Sequence, residues 1–376
     1  MAITRSAADL AGEVAPAWHA RAEAAGLALF SAPDALPADA ACLFEAGAQR
    51  FFCSREWYRA VLAHALPPGG APLFALWRID GRAAAVFPLL LRNGRELRSL
   101  TTPYTCFWRP LLADRLSADH LRSAGVALGR FSAGWPVVRL DALEADWPGL
   151  APLLAGIRAA GLAAEPFDHF GNWHEAVGAR SWQQYLRSRP GALRETIRRK
   201  LGRGEREATF ALVRRPEELA EGIAAYESVY RRSWKEPEPF PLFNPALMRA
   251  AAALGILRLG LLRAGAETIA AQFWIVTNGS ASVLKLAHDE AFKALSPGTV
   301  LTALMIRRLL DEEGVAELDF GCGDDAYKRL WASKRRQRIG VLLLNPRRVR
   351  GIAALGRQWL GRGRRQVLGW LGQRPG

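Results

Sequence analysis

The sequence predicts an α/β chain of the α+β kind, built from two tandem units, each a mixed, mostly antiparallel sheet flanked by helices, followed by a basic tail helix. Three observations carry this. At 376 residues the chain exceeds what one core usually serves. Apolar runs of strand length meet at turn dipeptides, Asp80-Gly81, Asn93-Gly94 and Asn278-Gly279. Hairpin, helix and strand then recur in the same order in both halves. The expected boundaries are 1–175, 176–345 and a tail at 346–376.

In the first half, residues 1–30 read as a weak leader ending in the alternating run Leu27–Phe30. Phe51, Trp57 and Val61 recur at helical spacing and predict a helix over Phe44–His64, which Pro67-Pro68-Gly69-Gly70 ends. Leu73–Ile79 and Arg82–Leu91 form a hairpin, Glu96–Leu100 a further strand, Asp119–Leu128 a helix, and Val137–Leu140 and Leu162–Phe167 strands. In the second half come helices Trp182–Arg189 and Ala192–Gly202, strand Thr209–Val213, helix Pro216–Trp234 with Glu217 and Glu218 in its first turn, and helix Ala246–Leu254. Strands Ile256–Arg263, Ile269–Thr277 and Ala281–Ala287 follow. Helix Thr299–Glu313, strand Val315–Phe320, a helical turn near Tyr327–Ser333 and strand Ile339–Leu344 finish the unit.

Composition narrows the function classes. Nothing near Met1 has the apolar run of a signal peptide, and no window is apolar enough for a membrane span. Cys42, Cys53, Cys106 and Cys322 are too scattered for a zinc site or a disulfide ladder, so a cytoplasmic protein with reduced thiols and no metal is expected. The formal charge is +15, and two segments supply nearly all of it. Arg187–Arg206 holds eight basic residues against Glu195 and Glu205, and 346–376 holds eight arginines and no acid. If Val349–Leu371 is helical, Val349, Ile352, Trp359 and Trp370 share one face, opposite Arg350, Arg357 and Arg362. That is the profile of an interfacial helix on anionic lipid, with a disordered solubilising tail as the alternative. The expected location is cytoplasmic, peripheral at an inner membrane. Gly321-x-Gly323-x-x-Ala326 mimics a dinucleotide fingerprint, but no long helix follows it and Asp324-Asp325 would repel a pyrophosphate.

Several residues suggest group transfer. Ser296, Pro297 and Gly298 suit a helix opening, and free amides at Gly298, Thr299 and Val300 with the helix dipole suit a pyrophosphate; an ordinary capped helix fits equally. The strand ending at Leu286-Ala287 can pair with an extended ligand arm. His288 at its end can accept an amine proton, with Asp289 beside it; a satisfied loop histidine and a turn cap are the alternatives. Tyr327 can donate to a leaving group and Lys328 can hold phosphate or an oxyanion, against the alternative of a solvated basic face. Asp319 can orient Lys328 or serve structure alone. Tyr104, Trp108, Trp182 and Trp234 are candidates for an acceptor cleft, though most tryptophans are core.

Residues 180–345 resemble the GNAT acyltransferase superfamily in its Fem-like, double-domain branch, and more narrowly the CelD-like (BioF2-like) bacterial family. The residues that carry the resemblance are Trp182, the arginine-rich helix Arg194–Arg203, the hairpin Ala270–Leu286, Leu295-Ser296-Pro297-Gly298, and Asp319-Phe320-Gly321 with Tyr327-Lys328. The resemblance implies an acyl-CoA donor (acetyl-CoA above all) and an amine acceptor on an amino sugar or lipid-linked saccharide of a polysaccharide or cell-envelope precursor. Nucleic acid is not expected as a partner. The closely spaced glycines of the usual pyrophosphate loop are reduced here to Ser-Pro-Gly. An aminoacyl-tRNA-dependent peptidyltransferase is therefore an alternative, as is a non-catalytic effector binding an anionic ligand on the same fold.

Overall fold

The computed structural model describes residues 17–47, 50–354 and 356. The first half runs β1 Leu27–Phe30, α1 Ala38–Gly47, α2 Arg55–His64, β2 Gly70–Ile79, β3 Arg82–Arg92, β4 Glu96–Ser99, β5 Leu111–Leu112, α3 Ala118–Ser132, β6 Val137–Glu144, α4 Leu150–Ala159 and β7 Ala163–Ala176. The second runs α5 Trp182–Arg187, α6 Gly191–Glu207, β8 Thr209–Val213, α7 Leu219–Arg231, α8 Phe243–Ala253, β9 Leu257–Ala264, β10 Glu267–Thr277, β11 Ser280–His288, α9 Pro297–Asp311, β12 Glu317–Cys322, α10 Lys328–Trp331 and β13 Lys334–Leu344.

All thirteen strands join one mixed, mostly antiparallel sheet in the order β1-β2-β3-β4-β6-β13-β7-β12-β11-β10-β9-β8, with β5 added on β3. The three turn dipeptides close hairpins as expected. Asp80, Gly81, Asn93, Gly94, Asn278 and Gly279 all have φ between 47° and 78°, the geometry that matches the twist of paired strands. The last strand of each half is exchanged. β13 runs antiparallel between β6 and β7, while the carboxyl end of β7 lies between β13 and β12. Each half thus completes the other's sheet.

The two halves also share a core. Phe44, Trp57 and Phe74 pack in one cluster with Phe243, Leu259 and Phe273. A second cluster lies under α3 and α4. These helices cross closely at Gly125 and Gly156, where an added methyl group would collide with the backbone of the facing helix. A third cluster lies beneath α9 and α6.

Some elements differ from expectation. The helix over Phe44–His64 is two helices, broken by a 3₁₀ turn at Phe51–Cys53 and restarted by Ser54, whose hydroxyl accepts from the Trp57 amide at 3.1 Å. Residues 17–24 are helical, and Trp18 stacks on Trp135 at 4.3 Å. Helix α4 lacks a polar face and was not foreseen. Of the tail, residues 349–354 are helical with Val349 and Ile352 exposed; the rest of the expected interfacial helix lies outside the described residues. Among the described residues no helix is long and apolar enough to cross a membrane.

Candidate active site between split strands

Each half contains one parallel strand pair, and each is short. β11 and β12 pair only at Ser280–Glu317, Ala281–Leu318 and Ser282–Asp319, and then diverge. The divergence is built by β12. Gly321 has φ 65° and approaches the Val283 carbonyl so closely that a Cβ would stand 2.9 Å from it. The Asp319 carboxylate holds this bend, accepting from the Gly321 amide at 2.7 Å, Asn172 at 2.7 Å and Arg336 at 2.6 Å. Burial would raise the Asp319 carboxyl, but Arg336, Asn172 and the Gly321 amide outweigh it and hold it below its ordinary value. Asp319 is therefore the brace of the split and does not reach Lys328.

The split opens a cavity of about 210 Å³. Its walls are Val283 to Leu286 of β11, Phe320 and Cys322 of β12, and Tyr327 and Lys328. Its roof comes from elsewhere: Pro103, Tyr104 and Cys106 from the first half, Phe243 and Leu247 of α8, and Lys235. Beyond Ser282 the β11 backbone has no strand partner on the side facing the cavity, so its amides and carbonyls are available to an extended ligand.

Lys328 is 4% exposed, which excludes the solvated basic face. Its ammonium is committed, donating to the carbonyls of Cys322 and Gly323 and lying 3.0 Å from the Asp325 carboxylate. An ammonium has three donors, and three acceptors take them. The expectation of a free oxyanion or phosphate ligand is corrected accordingly: Lys328 ties down the loop that follows β12. Tyr327 lines the cavity half-buried, and burial raises its phenol well above the ordinary value, so it stays protonated.

The helix opening is a separate place. Ser296, Gly298, Thr299 and Val300 do not line the cavity, and neither does Ala287, which is fully buried; only Leu286 of the expected donor set does. Ser296 stands at the N-cap position in the left-handed region (φ 51°) and makes no side-chain cap, because that backbone turns its hydroxyl from the helix amides. Val300 is buried against α6, where Gly204 leaves room for it. Gly298 and Thr299 are half-buried. His288 faces Gly298, with its Nδ1 buried and unpartnered, its Nε2 3.2 Å from Glu290 and its ring 4.4 Å from that of Trp234. Burial lowers its basicity. Asp289 caps the following turn through the Ala291 amide and pairs with Arg232 at 2.6 Å, a structural role in place of the expected catalytic one.

Of the aromatic candidates, Tyr104 belongs to the cavity. Its hydroxyl donates to Glu238 at 2.7 Å and its ring stacks on Phe243 at 4.6 Å. Trp108 is 1% exposed and donates to the Pro88 carbonyl, and Trp182 is buried where α5 meets the end of α9. Both are core, since their rings pack in the second and third clusters. Trp234 is exposed beside His288 and outside the cavity lining.

Sequence reasoning passed over Lys235. It lines the cavity and, among the described residues, meets no carboxylate within ion-pair distance. Desolvation first, and then the neighbouring Lys285 charge, lower it from the usual lysine value. Glu238 is taken by Lys285 at 2.6 Å. A lysine trapped between Trp234 and a proline-rich loop was the available signal. Among the described residues no group of ligating side chains could hold a metal ion.

The fold and the domain match known proteins. An acetyltransferase (GNAT) domain family model covers residues 191–329. The crystal structure of FemX superimposes with a TM-score of 0.52 at 12% identity, covering 78% of this chain and 92% of that one. The C-terminal domain of a putative lysylphosphatidylglycerol synthetase from Agrobacterium fabrum does so with a TM-score of 0.52 at 15% identity, covering 84% and 94%. At these identities the likeness is one of fold. No curated protein sequence matches the chain. Residues 191–329, which span the split strands, thus form a GNAT-type acetyltransferase domain, and the fold along both halves is shared with FemX and the lysylphosphatidylglycerol synthetase domain.

Proposed function

We propose that this acyltransferase moves an acyl group from acyl-CoA, acetyl-CoA in the first instance, to an amine on an amino sugar of a cell-envelope or exopolysaccharide precursor. The observation that carries the reading is the cavity in the β11–β12 split, lined by the unpaired β11 backbone and by Lys235, which meets no carboxylate within ion-pair distance among the described residues. About 210 Å³ holds a thioester and an amine but not a whole coenzyme, so the donor's phosphates lie outside, towards Gly298 and the exposed arginines of α6.

In this mechanism Lys235, in its neutral form, takes the proton of the acceptor ammonium. The amine nitrogen then attacks the thioester carbon, a C–N bond forms, and the C–S bond breaks. Unpaired amides of β11 hold the developing oxyanion, and the Tyr327 hydroxyl donates a hydrogen bond to the departing thiolate. Lys328 keeps the loop bearing Cys322 and Gly323 in place.

A second reading is supported by α6, whose Arg194, Arg198, Arg199, Arg203 and Arg206 are all exposed. That face could follow the phosphates of an aminoacyl-tRNA donor, and FemX and a lysylphosphatidylglycerol synthetase domain are among the chains that share the fold. One experiment separates them. Full-length protein is incubated with glucosamine oligosaccharide and either labelled acetyl-CoA or labelled aminoacyl-tRNA. Thiol release coupled to acylated saccharide is expected. Label transfer only from tRNA replaces the donor, and transfer from neither sinks the reading.

A further inference from the structure

The first half holds a second split. β4 and β6 pair in parallel at Leu97–Val138 and Arg98–Arg139 only. β6 then kinks at Ala142, whose φ of 61° is strained for alanine, in the way β12 kinks at Gly321. A cavity of about 380 Å³ opens there. Its lining includes Arg92, Arg98, Arg139, Asp141 and His169, and Phe240 from the second half closes one side. Asp141, 3% exposed, accepts from Arg139 at 2.8 and 2.9 Å and from Arg98 at 3.3 Å. The His169 Nδ1 accepts the Ala142 amide at 3.2 Å, so its other nitrogen carries the proton and faces Asp141. One carboxylate therefore answers two guanidinium groups, and Arg92 adds a third to the lining without pairing to it. Arg92 is the least satisfied, with its Nε buried and without a partner and its nearest carboxylate, Glu96, 3.7 Å away.

We infer that this cavity binds the phosphate of a small ligand or headgroup, held by Arg92, Arg98 and Arg139. The inference is independent of the acyl-transfer reading. Pro103 lines both cavities, so a phosphorylated molecule seated here lies beside the other split.

The test is calorimetric titration of the full chain with inorganic pyrophosphate, with glucosamine 1-phosphate, and with phosphatidylglycerol vesicles against neutral vesicles. Arg92→Gln is the informative variant, because Arg92 stands at the rim and Asp141 keeps its own partners without it. Binding of either soluble probe, weakened about tenfold by Arg92→Gln and unchanged by Arg199→Gln on α6, supports a soluble ligand. The same pattern with vesicles alone supports a lipid headgroup. Absence of binding to all probes, or binding that Arg199→Gln weakens and Arg92→Gln does not, overturns the inference. Arg98→Lys, which keeps charge but loses the fork, is the second variant and is expected to weaken binding likewise.

Discussion

The Arg189 guanidinium meets the Glu175 carboxylate with both terminal nitrogens, at 3.0 and 2.8 Å, in a setting where each side chain is almost fully buried. Ser333 adds its amide and hydroxyl to the same carboxylate, and Arg180 a further contact. One side chain on β7 thus fastens the segment after α5 to the start of β13. Glu175→Gln is expected to cost about 3 kcal/mol, because it leaves a buried arginine without its counter-charge. Chemical denaturation measures it; a loss within error of zero refutes the buried pairing.

The same pair sets a pH response. Burial raises the Glu175 carboxyl, but the Ser333 hydrogen bonds and the Arg189 charge outweigh it, so its folded value lies below the ordinary one. A depressed carboxylate contributes stability that is present above the unfolded value and disappears as pH falls through the folded one. The wild-type protein should lose stability in acid over that interval, and Glu175→Gln should show a flatter profile there. Parallel profiles would remove Glu175 as the source.

Lys235 as a base predicts a rate that rises with pH. Because the Lys285 charge helps to lower Lys235, Lys285→Gln should move the rising limb of kcat/KM to higher pH. It frees Glu238 as well, which pushes the same way. Lys235→Met should abolish the limb. A limb that survives in Lys235→Met belongs to the acceptor amine, and Lys235 is then not the base.

For Lys328 the expectation is a joint loss. Lys328→Met strips the Cys322 and Gly323 carbonyls of their donor and should lower stability by roughly 2 kcal/mol along with turnover. Lys328→Arg, with a planar fork in place of a compact ammonium, should not restore either. Full stability with abolished turnover would mean that Lys328 acts on substrate directly.

Thiol chemistry tests the packing. Cys42 is exposed, whereas burial pushes the Cys53 thiol up to about 11 and raises that of Cys322 too, where the neighbouring Cys106 is the larger cause. Alkylation of the native protein should label Cys42 first and Cys53 only on unfolding. Rapid labelling of Cys53 would contradict the core around Phe51 and Trp57.

The hairpins and the succession of elements along the chain were legible because Asp-Gly and Asn-Gly turns and apolar runs are local signals, whereas the joining of both halves into one sheet through β7 and β13 was not. The strand split was not legible, since the bend depends on Asp319, Asn172 and Arg336 meeting across distant segments. Of the expected donor set only Leu286 reaches the cavity, while Ser296 to Val300 open a helix outside its lining. Trp108 and Trp182 show the limit of composition, for a tryptophan in a loop looks the same whether its ring is free or packed. Lys235 was missed because its property is created by burial beside Lys285, a neighbour fifty residues away.

The exchange of β7 and β13 bears on synthesis. β6 and β7 have both left the ribosome long before Lys334–Leu344 is made, so the gap between them stays open until that strand emerges. The amino-terminal half must wait, its edges bare, for a strand made only after everything from α5 to α10, and truncation before residue 334 should strand both halves as aggregation-prone fragments.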